Sequence, residues 1–176
     1  GFLKRRQGML DGVVITGGEP TIHPDLEAFI RKVRALGYAI KLDTNGNRPD
    51  VLQRLIDEGL LDYVAMDFKI DSARYPDLVG AGAQPEAVRE SFEFLKQGKV
   101  PYEFRTTLVR EVHTEAVLRD MKRELMGAAR YFLQPFRSGV VLSPAFEGYH
   151  AFSDTEMREL AEYFSDAAQE VGIREE

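Results

Sequence analysis

Short β-branched runs alternate along this chain with stretches whose apolar residues recur at helical spacing, at intervals of roughly 25–30 residues. Parallel strands need a crossover connection, usually a helix, so this alternation is the pattern of a parallel sheet. We therefore predict an α/β fold made of repeated strand–helix units. The predicted strands are 12–16, 38–44, 62–70, 101–109 and 130–135.

Helix signals fall between these strands. Prolines at first helical positions and glycines after the last apolar residue predict helices over about 24–36, 49–58 and 85–97. A fourth helix begins near Thr114, and a last one starts at the capping box of Ser153 and Glu156 and continues through Val171. The Gly-, Pro- and Tyr-rich stretches 71–84 and 138–152 are predicted to be long loops, which are either solvated surface segments or functional lids and interaction surfaces.

Charged residues interrupt strands that would be almost continuously apolar in a sheet covered on both faces. They lie two positions apart, which places them on one face of a strand. Polar residues at the carboxyl ends of barrel strands gather at one mouth, so the pattern favours a full or partial (βα) barrel with outer helices over a flat, flavodoxin-like sheet. The alternative is a set of internal ion pairs, such as Asp67 with Lys69 or Glu103 with Arg105. The polar strand residues are Lys41, Asp43, Asp67, Lys69, Glu103, Arg105, Thr107 and Gln134.

The motif Thr-Gly-Gly-Glu-Pro follows the first predicted strand. Gly17 and Gly18 let a ligand lie directly on the backbone, and the carboxylate of Glu19 suits an ammonium group. Pro20 fixes the turn, and a second turn at Thr44, Asn45 and Gly46 closes the next strand. With Lys69 available for a carboxylate, the residues predict a site for a small zwitterion. Neither phosphate-loop pattern, G-x-x-x-x-G-K or G-x-G-x-x-G, occurs.

Composition and charge argue against several other classes of protein. The chain of 176 residues has a formal net charge of −6 with acids and bases interspersed, which argues against a nucleic-acid partner. No apolar run approaches the roughly 20 residues that span a bilayer, and no export signal is present. The expected location is therefore the cytoplasm. The chain contains no cysteine, which excludes disulfides and any thiolate-bound metal within it.

The segments TGGEPTIHPDL, KLDTNG and DYVAMDFK occur in this order on successive strand ends and closely resemble the radical S-adenosylmethionine (SAM) family. The resemblance covers roughly residues 10–135 and is nearest to the activating enzymes of glycyl-radical enzymes. It implies that SAM is cleaved reductively at a [4Fe–4S] cluster, and that the resulting radical removes a hydrogen atom from a glycine of a partner enzyme. The implied partners are a glycyl-radical enzyme, such as anaerobic ribonucleoside-triphosphate reductase, and a reductant protein such as flavodoxin or ferredoxin.

The resemblance also implies a role for particular residues. Gly17, Gly18 and Glu19, followed by Pro20, would hold the amino group of SAM. Asp43 and Thr44, followed by Asn45, would lie beside its methionine end and ribose. Asp67 and Lys69 would address the carboxylate, and Gln134 would approach the adenine.

One departure from the family is severe. Its cluster is held by a Cys-x-x-x-Cys-x-x-Cys loop upstream of Gly-Gly-Glu-Pro, and this chain has no cysteine. We expect the first strand and the cluster loop to be missing. The chain would then be a single truncated domain over 1–176, in which 136–176 is a less recognisable extension. No catalytic and no metal-binding residue is assigned, and the chain alone is expected to be inactive. Two alternatives stay open: a cysteine-free module that binds SAM or another small zwitterion, and a Schiff-base aldolase that uses Lys69 beside Asp67.

Overall fold

The computed structural model describes residues 1–80, 82–137 and 148–174. The chain forms two compact units, one made of Gly1–Asp67 and Gln84–Tyr102, the other of Phe68–Ala83 and Glu103–Glu176. In chain order the elements are α1 (Phe2–Arg5), β1 (Gly12–Ile15), a short 3₁₀ turn (Pro20–Ile22), α2 (Leu26–Arg34), β2 (Ala39–Thr44), α3 (Pro49–Asp57), β3 (Tyr63–Asp67), α4 (Tyr75–Val79), α5 (Pro85–Lys96), β4 (Tyr102–Leu108), α6 (Glu115–Leu125), β5 (Ala128–Pro135), α7 (Asp154–Tyr163) and β6 (Ala168–Ile173).

The first unit is built on the parallel strands β1, β2 and β3, which lie side by side in that order. Ile40 and Leu42 of β2 are fully buried, and α2 contacts this strand. The amphipathic pattern of α2 explains the contact, because its buried residues Leu26, Ile30 and Val33 recur at helical spacing. Parallel pairing with helical crossovers confirms the predicted α/β architecture.

The other face of β2 carries the predicted polar residues. Lys41 lies opposite Val14 of β1 and Tyr63 of β3 in the strand register. Its Nζ is 3.8 Å from Oδ1 of Asp43 and 5.5 Å from the centre of the Tyr63 ring. Lys41 and Asp43 therefore share one face, as their spacing predicts.

The second unit contains the parallel strands β4, β5 and β6, again in chain order. Its core includes the fully buried rings of Tyr131 and Phe164, which meet edge to face with 5.1 Å between ring centres. Such aromatic pairs add about 0.5–1.5 kcal/mol beyond the area they bury. Within the described part of the chain, no helix is both long enough and apolar enough to cross a membrane.

The prediction that the last helix runs through Val171 is wrong. The capping box of Ser153 and Glu156 is present, but α7 ends at Tyr163, and Val171 lies in β6 opposite Tyr131 of β5. The apolar spacing of residues 164–171 fits a helix, yet residues 168–171 pair with β5 as part of β6. Tertiary pairing has overridden the local pattern here, as it commonly does for short segments.

Two other predicted segments differ in extent. The strand predicted over 62–70 ends at Asp67, and the loop predicted over 71–84 contains the helix α4. Arg74 fixes this segment, because its Nη1 lies 2.8 Å from Oδ2 of both Asp71 and Asp120. Of the second predicted loop, residues 138–147 lie outside the described residues.

Within the second unit, a buried ion pair joins β4 to the residue that follows β6. The side chain of Glu103 on β4 is only 1% exposed, and the guanidinium of Arg174 binds its carboxylate with both terminal nitrogens; Nη2 lies 2.9 Å from Oε2. The guanidinium also stacks on Phe132, 4.5 Å from the ring centre. Planar two-point pairing of this kind is what makes arginine suited to carboxylates.

We expect Arg174→Ala to lower the free energy of unfolding by about 3 kcal/mol, because the buried carboxylate of Glu103 loses its two-point ion pair with Arg174. The value is at the low end for broken buried pairs, since the Arg174 side chain is 34% exposed. Arg130→Ala is the matched control, because its pair with Glu170 also joins β5 to β6 but is exposed, and it should cost at most about 1 kcal/mol. Urea denaturation measures both, and equal losses would contradict the importance of burial.

Candidate functional site

The two glycines after β1 form an open surface. Gly17 has a φ of +126°, which L-residues rarely adopt, and a Cβ built on Gly17 or Gly18 meets no heavy atom within 4 Å. Among the hydrogen bonds of the described residues, none uses the peptide groups of these two glycines. The strand therefore ends in free N–H and C=O groups with space above them.

The carboxylate of Glu19 ties this loop to the end of β2. Its Oε1 accepts hydrogen bonds from N and Oγ1 of Thr21, at 3.1 and 2.5 Å, and from Oγ1 of Thr44 at 2.9 Å. Its Oε2 accepts one from the amide of Asn45 at 2.6 Å. Each carboxylate oxygen has about two acceptor positions; three donors share those of Oε1, whereas Oε2 has a single donor and keeps one position for another.

The turn after β2 presents these donors. Oδ1 of Asn45 accepts from the amide of Asn47 at 3.0 Å, and Oγ1 of Thr44 accepts from the amide of Gly46 at 3.1 Å. Gly46 has a φ of +78°, and a Cβ there would collide with the Met66 side chain. The turn is thus fixed from within by side-chain-to-backbone bonds and by close packing.

The predicted site residues fall into separate groups. The structure brings Gly17–Pro20 together with Thr44 and Asn45, through the carboxylate of Glu19. Asp43 lies one residue before this turn, and Asp67 is the last residue of β3. Lys69 and Gln134 belong to the second unit, where the side chain of Lys69 is exposed and Gln134 lies on β5 opposite Thr107.

Sequence reasoning missed the part played by Thr21. Glu19 is the N-cap of the 3₁₀ turn that starts at Pro20, and its side chain accepts the Thr21 amide. An acidic residue followed by proline and a β-hydroxy residue is a readable signal for such a cap. The remaining partners, Thr44 and Asn45, are distant in sequence and give no local signal.

In the second unit, His113 fastens the chain that follows β3. Its ring is buried; Nδ1 accepts from the amide of Val109 at 2.9 Å, which leaves Nε2 to donate to the carbonyl of Lys69 at 2.9 Å. Burial lowers the pKa of His113, and the two backbone contacts oppose that shift. The neutral ring therefore has a structural role, because it joins the backbone at Val109 to the backbone at Lys69.

No cluster of three or more His, Cys, Asp or Glu side chains able to hold a metal ion occurs within 1–80, 82–137 and 148–174. The sequence itself has no cysteine.

The sequence is similar to one family of known proteins along most of its length. The profile of the Radical SAM superfamily matches residues 2–123. A Methanocaldococcus jannaschii protein, provisionally named a glycyl-radical enzyme activating enzyme, is 31% identical over 169 residues, which are 93% of this chain and 70% of that protein. A 7-carboxy-7-deazaguanine synthase of Methanopyrus kandleri is 31% identical over 133 residues, covering 70% of this chain but 46% of the synthase.

Solved structures agree on the fold. A domain of pyruvate-formate lyase-activating enzyme from Bacteroides vulgatus superposes with a TM-score of 0.75 at 17% identity, covering 94% of this chain and 99% of that one. SuiB of Streptococcus suis, solved with bound S-adenosylmethionine, gives a TM-score of 0.65 at 14% identity, covering 94% of this chain and 39% of SuiB. These likenesses confirm the predicted fold class, a partial barrel of parallel strands with outer helices.

The buried ring of His113 predicts a specific acid sensitivity. Its pKa is lowered in the folded state, so the unfolded chain takes up the proton first as the pH falls below about 6.5. The stability from the neutral ring is complete above that pH, and below it is lost by at most about 1.4 kcal/mol per pH unit until the folded ring also protonates.

We therefore expect the stability difference between the wild type and His113→Gln to shrink as the pH is lowered from 8 to 5. Denaturant unfolding at several pH values measures it. A difference that stays constant, or grows in acid, would show that His113 is not held neutral.

Proposed function

This chain belongs to the radical SAM superfamily, and from that premise we propose that it binds S-adenosylmethionine on the open Gly17–Gly18 surface and serves the activation of a glycyl-radical enzyme. The observation that carries the proposal is the combination of two features. Gly17 and Gly18 are exposed with open space above them, and the next residue, Glu19, is bonded to the end of β2 by its carboxylate.

The chemistry of the surface suits the methionine end of SAM. An ammonium group donates up to three hydrogen bonds. The free carbonyls of Gly17 and Gly18 and the remaining acceptor position on Oε2 of Glu19 offer such acceptors. Pro20, at the first position of its turn, holds the loop in shape. A bulky residue at either glycine would occupy the space that the ligand needs.

The flanking residues complete the proposal. Asp43 and Thr44 end β2 and Asn45 follows them, next to this loop, and we assign all three to the methionine and ribose side of the ligand. The assignment of Asp67 and Lys69 to the carboxylate, and of Gln134 to the adenine, stays a prediction from the sequence.

The iron–sulfur cluster does not fit this set of residues. A [4Fe–4S] cluster is held by cysteine thiolates, and the chain contains none. We assign no step of the radical reaction to these residues; their part is to bind and orient SAM, since cofactors carry the difficult chemistry.

The choice of an activating enzyme rests on the relatives. The Methanocaldococcus jannaschii protein matches along almost the whole chain, and the Bacteroides vulgatus domain is matched almost completely. Both names refer to the activation of another enzyme. Anaerobic ribonucleoside-triphosphate reductase is our candidate partner, with flavodoxin or ferredoxin as reductant.

The Schiff-base alternative finds no support in the site. A lysine that forms an imine is activated by desolvation or by a neighbouring cation. The side chain of Lys69 is exposed, so the surroundings do not provide desolvation. Borohydride trapping with carbonyl compounds should leave Lys69 unlabelled.

We expect Gly18→Ala to weaken SAM binding at least ten-fold while the melting temperature stays within a few degrees. The added methyl meets no protein atom and the backbone of Gly18 is not in the left-handed region, so the fold accepts it. Isothermal titration calorimetry measures the affinity. S-adenosylhomocysteine, which keeps the amino-acid end, should lose affinity similarly, whereas 5′-methylthioadenosine, which lacks it, should not. Equal effects on all three compounds would place the amino-acid end elsewhere.

Glu19→Gln should weaken SAM binding by roughly ten- to a hundred-fold, because a charge-assisted hydrogen bond contributes about 1.5–3 kcal/mol. The amide nitrogen of glutamine also cannot accept from the backbone or hydroxyl donors that surround Glu19. The same calorimetric titration applies, and an unchanged affinity would remove Glu19 from the site.

A further inference from the structure

A buried serine lies beneath the turn that holds Glu19. Ser91 of α5 has no exposed surface, although its inward neighbours on this helix, Val88, Phe92 and Leu95, are apolar. Its hydroxyl donates to the carbonyl of Gly46 at 2.7 Å. A buried hydroxyl in an apolar helix face needs such a partner, because an unsatisfied one is costly.

A series of hydrogen bonds leads from Gly46 to Glu19, next to the proposed ligand surface. The amide of Gly46 donates to Oγ1 of Thr44 at 3.1 Å, and that hydroxyl donates to Oε1 of Glu19 at 2.9 Å. The intervening amide of Asn45 donates to Oε2 of Glu19 at 2.6 Å. One turn is therefore bonded to α5 through Ser91 and to the glycine loop through Glu19.

The turn has little internal freedom, so it moves as one unit. Gly46 packs so closely that a Cβ would lie 3.3 Å from Cβ of Ser91 and would collide with Met66. Its φ of +78° is one that few residues other than glycine adopt. A displacement of the Gly46 carbonyl thus moves the amides of Asn45 and Gly46 with it, and with them the donors that reach Glu19.

We propose that Ser91 is a positioning residue for SAM binding, which acts through Gly46, Thr44 and Glu19 on the Gly17–Gly18 surface without touching the ligand. The inference rests on the proposed function, since it names a further residue of that same site. It goes beyond the sequence motifs, because Ser91 lies outside all of them, in the helix α5 that follows β3 and α4 in the chain.

The rival explanation is a serine that only stabilises the fold. Removing its hydroxyl leaves the Gly46 carbonyl without that donor, so Ser91→Ala should lower stability in either case. The discriminating readouts are therefore local. They are the hydrogen-exchange rates of the Asn45 and Gly46 amides, measured by NMR without ligand, and the affinity for SAM.

Val88→Ala is the matched control. Val88 lies on the same helix face one turn earlier and is buried, and its truncation lowers stability through lost packing. We expect Ser91→Ala to speed exchange of the two turn amides about ten-fold and to weaken SAM binding about ten-fold. Val88→Ala should do neither, even if it lowers the melting temperature as much.

A double-mutant cycle tests the route of the effect. If Ser91 acts through Glu19, the variant with both Ser91→Ala and Glu19→Gln should bind SAM no more than about three-fold more weakly than Glu19→Gln alone. Multiplied effects of the two substitutions would overturn the route, and equal exchange rates in Ser91→Ala and Val88→Ala would overturn the positioning role.

The two proposals fail in different ways. A wild-type chain that does not bind SAM, tested up to millimolar concentration, would overturn the proposed function. The exchange rates of Asn45 and Gly46 need no ligand, so they decide whether Ser91 fixes the turn even in that case.

Discussion

The carboxylate of Glu19 is the interaction on which the proposed site depends. Two of its four donors belong to Thr21 in the same loop and two to Thr44 and Asn45 at the end of β2. One side chain therefore holds the segment that follows Gly17 and Gly18, whose own peptide groups make no hydrogen bond. Glycine has the largest conformational entropy to lose on folding, and an unsupported Gly-Gly pair would spend much of its time in other conformations. Charge-assisted bonds, each worth about 1.5–3 kcal/mol, are strong enough to oppose that loss.

Much of this arrangement could be predicted from the sequence, and the reasons are local. The strand–helix alternation predicted the parallel α/β fold, and the spacing of Lys41 and Asp43 predicted their common face. The internal partners of Glu19 could not be predicted, because Thr44 and Asn45 follow it by about 25 residues and nothing in their own segment indicates the contact. Ser91 gave no signal for the same reason, since a single serine in an apolar helix face is unremarkable in sequence.

The predictions that were wrong near residue 171 have a different physical cause. The apolar residues of 164–171 have helical spacing, and only pairing with β5 makes residues 168–171 part of a strand. Glu103 likewise reads as a residue of a polar strand face, whereas its carboxylate is buried against Arg174, which follows it by 71 positions. Periodicity describes one element at a time, so it cannot identify a partner on another.

The bond between Glu103 and Arg174 has a consequence for synthesis on the ribosome. The first unit has all its residues once the chain has been made up to Tyr102, whereas β4 begins at that residue and its Glu103 can meet Arg174 only when residue 174 has emerged. At roughly 5–20 residues per second, several seconds pass between the synthesis of β5 and that of β6, its neighbour in the sheet. An exposed strand edge favours association with other chains, so the pairing of β6 with β5 also protects the second unit against such association once β6 is in place.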